Sequence, residues 1–433
     1  MTRSLTIKEL WPVLELGLML RVFALLVGLW VDSNPDFLRY TDIDYDVFSR
    51  SGRLLYQGLS PYDQGTFRYP PLLALLMVPN EVIWSGFGKV VFCLADLAMV
   101  PAIHGLTDSG AGAVSRSWHF SDGRFCSFLW AVNPLSIVIC SRGSCDSLTN
   151  CLLLWTLYSI KQASRKKSSL LGAGLALGLL VHFRLYPIIY VPAFLFHLTD
   201  RHTYNTIQLV TFFASAAMSF TYFTAFSAMC DERFLQEGLL YHVYRRDHRH
   251  NFSAYFYSTY LTASADSQAC DTDNDSSWSW GGFALSLPLA PFVLQATLLL
   301  LIAVRLAREH LYLALLLSTM TFVAYNKVIT TQYFTWYACL VPLVLPPFLQ
   351  RERGLSSSWQ LKAVAASFTA WIVTAAVWLW RAYVLEMRAV STFLTIHYAS
   401  LAFHVAHVVL VAALYKAYVD GVRWRPQPER GWR

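Results

Sequence analysis

Charged residues are scarce in this sequence. Only 14% of its 433 residues are Asp, Glu, Lys or Arg, whereas soluble proteins carry about 25%. The scarcity excludes a chain of ordinary soluble domains, because 55% of the residues are apolar and they recur in runs of about 15 to 25 residues, long enough to cross a bilayer. The sequence therefore predicts an all-α polytopic membrane protein that forms one integral membrane domain over residues 1–433.

Several catalytic motifs are also absent. The chain has no Gly-rich phosphate loop, no Gly-x-Ser-x-Gly elbow and no His-Glu-x-x-His helix, which disfavours dinucleotide redox chemistry and serine or zinc hydrolysis. Its 8 cysteines lack Cys-x-x-Cys or Cys/His spacing, so no zinc site is expected. On the predicted lumenal side, a Cys230–Cys270 disulfide and free thiols fit the residues equally well.

The positive charge of the chain forms no continuous stripe. Lys and Arg number 34 against 27 Asp and Glu, a net charge of +7, and they are scattered through loops and the basic tail 416–433. This distribution is typical of the positive-inside rule and not of a nucleic-acid interface. We expect the lipid bilayer as a partner and no nucleic acid, and the 15 Trp and 23 Tyr suit a chain that crosses many interfaces.

The apolar runs predict about twelve transmembrane helices with both chain ends in the cytosol. The first run lacks a small-residue cleavage site and is interpreted as a retained helix. The predicted spans cover residues 12–31, 86–105, 125–140, 147–160, 169–181, 186–198, 206–227, 283–304, 311–325, 336–349, 360–380 and 395–415.

Two long loops, 32–85 and 228–282, fall on the predicted lumenal side. The apolar segment 70–79 has prolines at both ends and is too short to cross, so we expect an interfacial or re-entrant helix there. Both Asn-x-Ser sequons, at Asn251 and Asn274, lie on the same side, as glycosylation would require.

Ionisable and aromatic residues gather at loops that share this side. Charged groups at helix ends are costly to desolvate unless they pair or line a wet cavity, so they indicate a site. The candidate site residues are Asp42, Asp44, Arg68, Tyr69, Arg142, Asp146, His182, Arg184, Tyr186, Arg245, Arg246, Asp247, His250, Asn251, Asn326, Lys327 and Gln332.

Each of these motifs also has a structural interpretation. Arg142 and Asp146 are four residues apart and could form only a salt bridge at a helix start. His182 and Arg184 could be interface residues whose polar ends reach water. The basic run 245–250 would usually be a solvated face, although Tyr and Phe flank it here in a mixture that suits a phosphate and a sugar ring.

The residue set favours transfer of a group from a lipid-linked phosphate. A carboxylate would act as general base on an acceptor hydroxyl, while cations would stabilise the departing phosphate. The alternative is a multi-span transporter for an anionic or lipid-phosphate solute, which the clustering at one surface disfavours because transport sites lie near the midplane. A structural subunit without activity would leave so many co-facial charges unexplained.

Several longer motifs resemble one known family. These are Leu38-Arg-Tyr-Thr-Asp-Ile-Asp-Tyr-Asp-Val-Phe48, Gly58-Leu-Ser-Pro-Tyr62, Phe67-Arg-Tyr-Pro-Pro71, Trp130-Ala-Val-Asn-Pro134, the segment 178–187, the segment 245–253 and the segment 325–334. In this order they resemble the GPI mannosyltransferase 1 (PIG-M) family of the endoplasmic reticulum, over residues 38–347. The sequence departs from the family pattern at Ser144-Cys-Asp146, where an Asn and an acidic residue are expected.

The resemblance implies a GT-C fold and an enzyme of the endoplasmic reticulum membrane whose active site faces the lumen. It would add the first mannose, α1,4-linked, from dolichyl-phosphate mannose to glucosaminyl-phosphatidylinositol. A small membrane-anchored stabilising subunit is also implied. The donor is β-linked and the product α-linked, which requires an inverting single displacement.

The resemblance and the shared side of the loops together suggest roles for individual residues. The acidic motif of the family matches Asp42 and Asp44, and we expect Asp42 to be the general base while Asp44 orients the acceptor or a cation. The donor phosphate is expected in a cationic pocket from Arg245, Arg246, His250, Arg184 and Lys327. No cofactor and no metal are expected, since protein cations can neutralise a leaving monophosphate.

Overall fold

Helices account for every regular element in the part of the chain that the computed structural model describes, which is residues 7–34, 36–108, 122–163, 169–200, 203–244, 251–269, 289–350 and 358–423. These helices confirm the predicted all-α class. The chain divides into two units, the first comprising residues 1–245 and 335–346 and the second residues 246–334 and 347–433.

The first unit begins with the helix predicted for the first apolar run. Its helices are α1 (Ile7–Asp32), α2 (Ile43–Tyr56), α3 (Pro71–Met77), α4 (Pro79–Val82), α5 (Phe87–Leu97), α6 (Met99–Thr107), α7 (Asp122–Ala131), α8 (Pro134–Arg142), α9 (Asp146–Ala163), α10 (Ser169–Phe183), α11 (Val191–Leu198), α12 (Thr206–Cys230) and α13 (Tyr241–Tyr244). Short 3₁₀ turns at Pro61–Asp63 and Tyr186–Tyr190 and a π-helical segment at Phe234–Leu240 complete it.

The helices of the second unit begin within the segment 228–282, which was predicted as the second long loop. They are α14 (Phe256–Ala269), α15 (Leu289–Leu306), α16 (Leu311–Ala324), α19 (Ser358–Arg388) and α20 (Phe393–Arg423), while α17 (Phe334–Ala338) and α18 (Val341–Gln350) lie where the chain passes between the units. A 3₁₀ turn at Thr331–Tyr333 precedes α17. The long helices α19 and α20 pack along each other, and Phe334, Trp371, Trp378 and Phe403 form an aromatic core there.

Two glycines allow α10 and α12 to approach closely. A Cβ on Gly174 would lie 2.3 Å from the Phe212 carbonyl oxygen, and a Cβ on Gly178 would lie 2.2 Å from that of Ala216. The pair is a Gly-x-x-x-Gly motif, which is typical of tightly packed membrane helices. This close packing brings the end of α10, which carries His182, against the end of α12. Arg184 follows directly after α10.

A buried ion pair joins α1 to α5. The Arg21 guanidinium bonds the Asp96 carboxylate and donates to the carbonyl oxygens of Gly17, at 2.7 Å, and Ala131, at 3.0 Å. Both charged side chains are almost fully covered. Since each charge is paired and hydrogen-bonded, these partners offset the cost of burying it among apolar helices.

Five described helices are long and apolar enough to cross a membrane without a break. They are Leu10–Asp32, Phe87–Thr107, Thr206–Cys230, Trp359–Arg388 and Phe393–Tyr418. Five shorter apolar helices accompany them, one of which, Pro71–Val82, overlaps the segment 70–79 that was predicted as an interfacial or re-entrant helix. The count of twelve spans and the membrane side of each loop stay predictions.

Two predicted spans are broken in the described residues. The prediction of one helix over 125–140 is wrong, because α7 and α8 meet at a bend of 47°. There Asn133 caps α8 by accepting the Leu135 amide at 3.0 Å, and Pro134 occupies the first turn, where its missing N–H costs little. The span over 336–349 is likewise divided, at Cys339–Leu340, whereas the span predicted over 86–105 corresponds to the candidate span Phe87–Thr107.

Candidate active site

Asp42 begins α2 and fixes the backbone of the acidic motif. Its carboxylate accepts the Asp44 amide at 3.1 Å, which is the bond of a helix N-cap. Its own amide donates to the Arg142 carbonyl oxygen at 3.0 Å. The first turn of α2 is therefore attached to the end of α8, although more than ninety residues separate the two in sequence.

Asp42 faces a cation and two other carboxylates. The second Asp42 oxygen lies 3.9 Å from Arg142 Nη2, and the side chains stay 26% and 39% exposed. Burial raises the pKa of the Asp42 carboxyl, and the charges of Asp44 and Asp146 add to it, while the Asp44 amide and Arg142 oppose it. A carboxylate that is accessible and more basic than usual is suited to accept a proton.

Asp146 and Arg184 form the second charged pair of the site. Arg184 Nη2 donates to Asp146 Oδ1 at 2.6 Å, with the Asp146 side chain fully buried and that of Arg184 13% exposed. The Ser144 hydroxyl donates to the other Asp146 oxygen at 3.3 Å. The predicted alternative of an Arg142–Asp146 pair is wrong in its partners, since Arg142 faces Asp42 and Asp146 binds Arg184.

Aromatic rings surround this pair. The Arg184 guanidinium lies 4.8 Å from the Tyr69 ring centroid, and burial raises the pKa of Tyr69 well above its usual range, so its hydroxyl stays neutral. Trp336, from α17, interacts electrostatically with the Asp146 carboxylate and stacks on Tyr186 with 3.8 Å between ring centroids. Four candidate residues, Tyr69, Asp146, Arg184 and Tyr186, therefore lie together, and Trp336 joins them from a distant segment.

Asp44 completes this cluster through its charge. The Asp44 carboxylate acts electrostatically on Asp42, on Asp146 and on Tyr69. Three carboxylates, two guanidinium groups and a buried tyrosine thus share one region of the first unit. The sequence predicted that the loops carrying these candidates share one side. The structure brings the candidates together in the first unit.

Arg68 is held by the long loop. Its guanidinium bonds the Glu237 carboxylate and lies 4.1 Å from the Tyr241 ring centroid. Nearby, Arg233 donates to Asp63 at 2.9 Å and Ser60 donates to Asp231. The loop after α12 is thus fastened to the segment 60–69, and Arg68 has a structural role in that contact.

His182 lies in the packing between α10 and α12. Its Nδ1 is 3.2 Å from the Thr224 hydroxyl and its Nε2 is 3.2 Å from the Ser227 hydroxyl. Phe223 and Phe234 cover the ring. Both ring nitrogens therefore have partners within the fold, and the structure does not place His182 among the charges near Asp42.

The remaining candidates belong to the second unit or lie outside the described residues. Asn251 is buried and donates to the Lys327 carbonyl oxygen at 2.7 Å, so the amide of this sequon is used in packing. Lys327 Nζ lies 4.7 Å from the Phe292 ring centroid. Asn326 follows α16, and Gln332 lies in the 3₁₀ turn. The residues outside the described ranges are Arg245, Arg246, Asp247, His250, Asn274 and Cys270.

Sequence reasoning missed the residues that support the site. Asp32 and Lys89 bond the segment just before Asp42, and Glu237 pairs with Arg68. Lys89 was not selected as a candidate because a lysine at the start of an apolar run is typical of a residue at the membrane interface. The signal that could have identified it is a cation in the first turn of a helix, where the helix dipole disfavours it.

The arrangement permits proton transfer and anion binding at one place. Asp42 is accessible and more basic than an ordinary aspartate. Arg142 lies beside it with its guanidinium partly exposed, and Asp146 and Arg184 form a largely buried ion pair. Within the described ranges, no group of three His, Cys, Asp or Glu side chains is arranged to hold a metal ion. The chemistry that these residues themselves support is general-base catalysis with electrostatic stabilisation.

Comparison with known proteins identifies similar chains. Residues 139–415 match the family model described as Mannosyltransferase (PIG-M). The chain is 36% identical over 410 residues to the GPI alpha-1,4-mannosyltransferase I catalytic subunit of Danio rerio, covering 92% of this chain and 95% of that protein. It is 34% identical over 424 residues to GPI mannosyltransferase 1 of Dictyostelium discoideum, covering 92% and 89%. The Saccharomyces cerevisiae protein of that name is 33% identical over 415 residues, covering 93% and 94%.

Proposed function

Because the chain belongs to the PIG-M mannosyltransferase family, we propose that it transfers the first mannose, in α1,4 linkage, from dolichyl-phosphate mannose to glucosaminyl-phosphatidylinositol. Membership makes the chain a GPI-anchor mannosyltransferase, a multi-pass membrane glycosyltransferase of the GT-C class. It also sets aside the transporter alternative. Donor, linkage and stereochemistry belong to the proposal.

The observation that supports this proposal most is the position of Asp42. Its carboxylate is partly exposed, lies 3.9 Å from Arg142, and has a raised pKa caused mainly by burial. A base and a fixed cation side by side are what glycosyl transfer from a phosphate requires. One group removes the proton from the acceptor, and the other opposes the charge that grows on the leaving oxygen.

The proposed reaction is a single displacement. As the 4-hydroxyl oxygen of glucosamine attacks C1 of mannose, Asp42 takes the hydroxyl proton. The C1–oxygen bond to phosphate breaks on the opposite face, and dolichyl phosphate leaves with the electron pair. A single attack inverts the anomeric centre, so a β-linked donor gives an α-linked product.

Arg142 is the cation that we assign to the phosphate within the described site. Arginine can bind two phosphate oxygens through parallel hydrogen bonds, and the Arg142 guanidinium is 39% exposed. Arg184 is committed to Asp146, so its part is to keep that buried carboxylate neutralised. The roles of Arg245, Arg246, His250 and Lys327 in phosphate binding stay predictions from the sequence.

The leaving group also bears on the question of a metal. A monophosphate leaves with less charge than a nucleotide diphosphate, and Arg142 can neutralise part of it. We therefore expect purified enzyme treated with a divalent-metal chelator to keep its turnover. A loss of turnover that added Mg²⁺ or Mn²⁺ restores would contradict this part of the proposal.

The proposal also includes the membrane side of the active site and a partner subunit. We propose that the site faces the lumen of the endoplasmic reticulum, where the loops 32–85 and 228–282 would lie, and that a small membrane-anchored subunit stabilises the chain. The Danio rerio relative is named as a catalytic subunit, which agrees with such an assembly. Cysteine-accessibility labelling of residues in the loop 161–168 tests the orientation, since we expect label from the cytosolic side only.

A direct assay tests the function. The chain, expressed with and without the accessory subunit, is supplied with radiolabelled dolichyl-phosphate mannose and glucosaminyl-phosphatidylinositol, and the product linkage is determined by nuclear magnetic resonance. We expect an α1,4-linked mannosyl product from this donor and none from GDP-mannose. Transfer from GDP-mannose, or a β-linked product, would overturn the proposal.

A further inference from the structure

Two charges of the first unit lie at the wrong ends of their helices. Asp32 is the last residue of α1, and Lys89 is the third residue of α5. The helix dipole disfavours an anion at a C-terminus and a cation at an N-terminus. Lys89 is also buried, with its side chain 10% exposed. Its charge is therefore disfavoured twice, by the helix dipole and by the loss of hydration.

The two charges meet at the segment that leads into Asp42. Lys89 Nζ lies 3.8 Å from Asp32 Oδ2. Between them, the Thr41 hydroxyl donates to Asp32 and accepts a hydrogen bond from Lys89. The backbone amides of Tyr40 and Thr41 donate to Asp32 Oδ1 at 2.7 and 3.2 Å. The unfavourable charges thus hold two consecutive residues of the chain.

The next contacts fix the same segment from the other side. The Tyr40 hydroxyl lies 2.6 Å from the Ser141 hydroxyl oxygen, and the Asp42 amide donates to Arg142. Residues 40 to 42 are therefore bonded to the end of α1, the start of α5 and the end of α8. Violations of local preference of this kind concentrate at functional sites.

We propose that Asp32, Thr41 and Lys89 form a positioning cluster that sets the location of the Asp42 carboxylate for proton transfer. The inference rests on the proposed role of Asp42. None of the three residues is assigned a contact with substrate. Their contribution is geometric, because a small displacement of a catalytic group costs up to about 10²-fold in rate.

The test compares turnover in three variants with the amount of folded protein. Asp32→Asn and Lys89→Met each remove one charge, and Thr41→Val removes only the hydroxyl at nearly constant volume. We expect each to lower kcat about tenfold or more at nearly unchanged donor KM, since a positioning defect acts on the reacting geometry and not on uniform binding. Thr41→Ser keeps the hydroxyl and is expected to retain most of the turnover.

The double variant Asp32→Asn/Lys89→Met examines the pair as a unit. Residues in one hydrogen-bond network are not additive, so its loss should be smaller than the product of the single losses. The matched control is the other ion pair between α1 and α5. Arg21→Met lies in the same two-helix contact but bonds none of residues 40 to 42, and should lower the protein level while leaving kcat per folded enzyme unchanged.

The outcomes separate this inference from the proposed function. If the Asp32, Thr41 and Lys89 variants keep normal kcat per folded enzyme while Asp42→Asn is inactive, the positioning cluster is refuted and the base assignment stands. If Asp42→Asn itself is active, the base assignment fails first. A loss in Thr41→Val that Thr41→Ser does not share, in protein of normal thermal stability, confirms the cluster.

Discussion

Asp42 and Arg142 are joined twice, once through the backbone, where the Asp42 amide donates to the Arg142 carbonyl at 3.0 Å, and once through their side chains, whose charged atoms lie 3.9 Å apart. The backbone bond fixes the distance between the helix that supplies the base and the helix that supplies the cation. Any displacement of α8 therefore moves both groups of the proposed reaction together.

The pH dependence of the reaction follows from this pair. A general base works only when ionised, so kcat/KM should fall as the pH drops through the pKa of Asp42. Burial places that pKa above the 3.8 typical of Asp. Because Arg142 opposes the shift, Arg142→Gln should raise the pKa further and move the acidic limb of the profile to higher pH.

Arg53 provides the control for that measurement. It pairs with Glu81 at 3.5 Å on the surface, with its side chain 60% exposed. Arg53→Gln removes the same charge far from the acidic motif and should leave the acidic limb where it is. An acidic limb that Arg142→Gln leaves in place, or moves to lower pH, would show that another group controls the profile.

Gly143 ends α8 in a left-handed conformation directly against Tyr45 of α2. Its φ is +100°, and a Cβ there would lie 2.4 Å from the Tyr45 ring. Gly143→Ala should therefore lower the melting temperature of the solubilised enzyme, since the strain of the left-handed backbone, about 1–2 kcal/mol, adds to a steric clash. The measurement is a thermal unfolding curve in detergent.

Gly58 separates the two contributions. Its φ is +75°, but nothing lies within 4 Å of a Cβ at that position. Gly58→Ala should show only the smaller backbone cost and normal turnover. Equal losses of stability in the two variants would mean that the Tyr45 contact plays no part.

The Asp146–Arg184 pair should contribute to the stability of the fold as well as to the geometry of the site. Removing one partner of a buried pair typically costs about 3–5 kcal/mol, so Asp146→Asn should unfold at a clearly lower temperature than the parent enzyme. The double variant Asp146→Asn/Arg184→Met should recover part of the loss, because it leaves no unpaired buried charge. Thermal unfolding of Asp146→Asn that matched the parent protein would contradict the buried pairing.

Part of this site was predictable from the sequence. Asp42, Asp44, Arg142, Asp146 and Arg184 were expected on one side because the spans between their loops fix their parity, and the structure brings them together in one unit. The partners could not be predicted: a spacing of four suggested that Arg142 pairs with Asp146, but Gly143 ends α8 and turns Arg142 toward Asp42.

Other features depend on contacts that have no local signal. The bend between α7 and α8 could be inferred from Asn133-Pro134, which is a helix-start pattern, yet the apolar run over 125–140 concealed it. Trp336 lies 190 residues from Asp146 along the chain (336 − 146 = 190), and nothing in either segment indicates that they meet. His182 was predicted in the site from its place beside Arg184, but the helix directs it toward α12.

The most direct test of the account is the turnover of purified Asp42→Asn enzyme with dolichyl-phosphate mannose and glucosaminyl-phosphatidylinositol. Asp46→Asn is the matched control, because Asp46 belongs to the same acidic segment but pairs with Arg39 at the surface. The account predicts that Asp42→Asn loses about 10²- to 10⁴-fold in kcat at an unchanged melting temperature, while Asp46→Asn stays near the parent rate. A folded Asp42→Asn enzyme with near-normal turnover would contradict it.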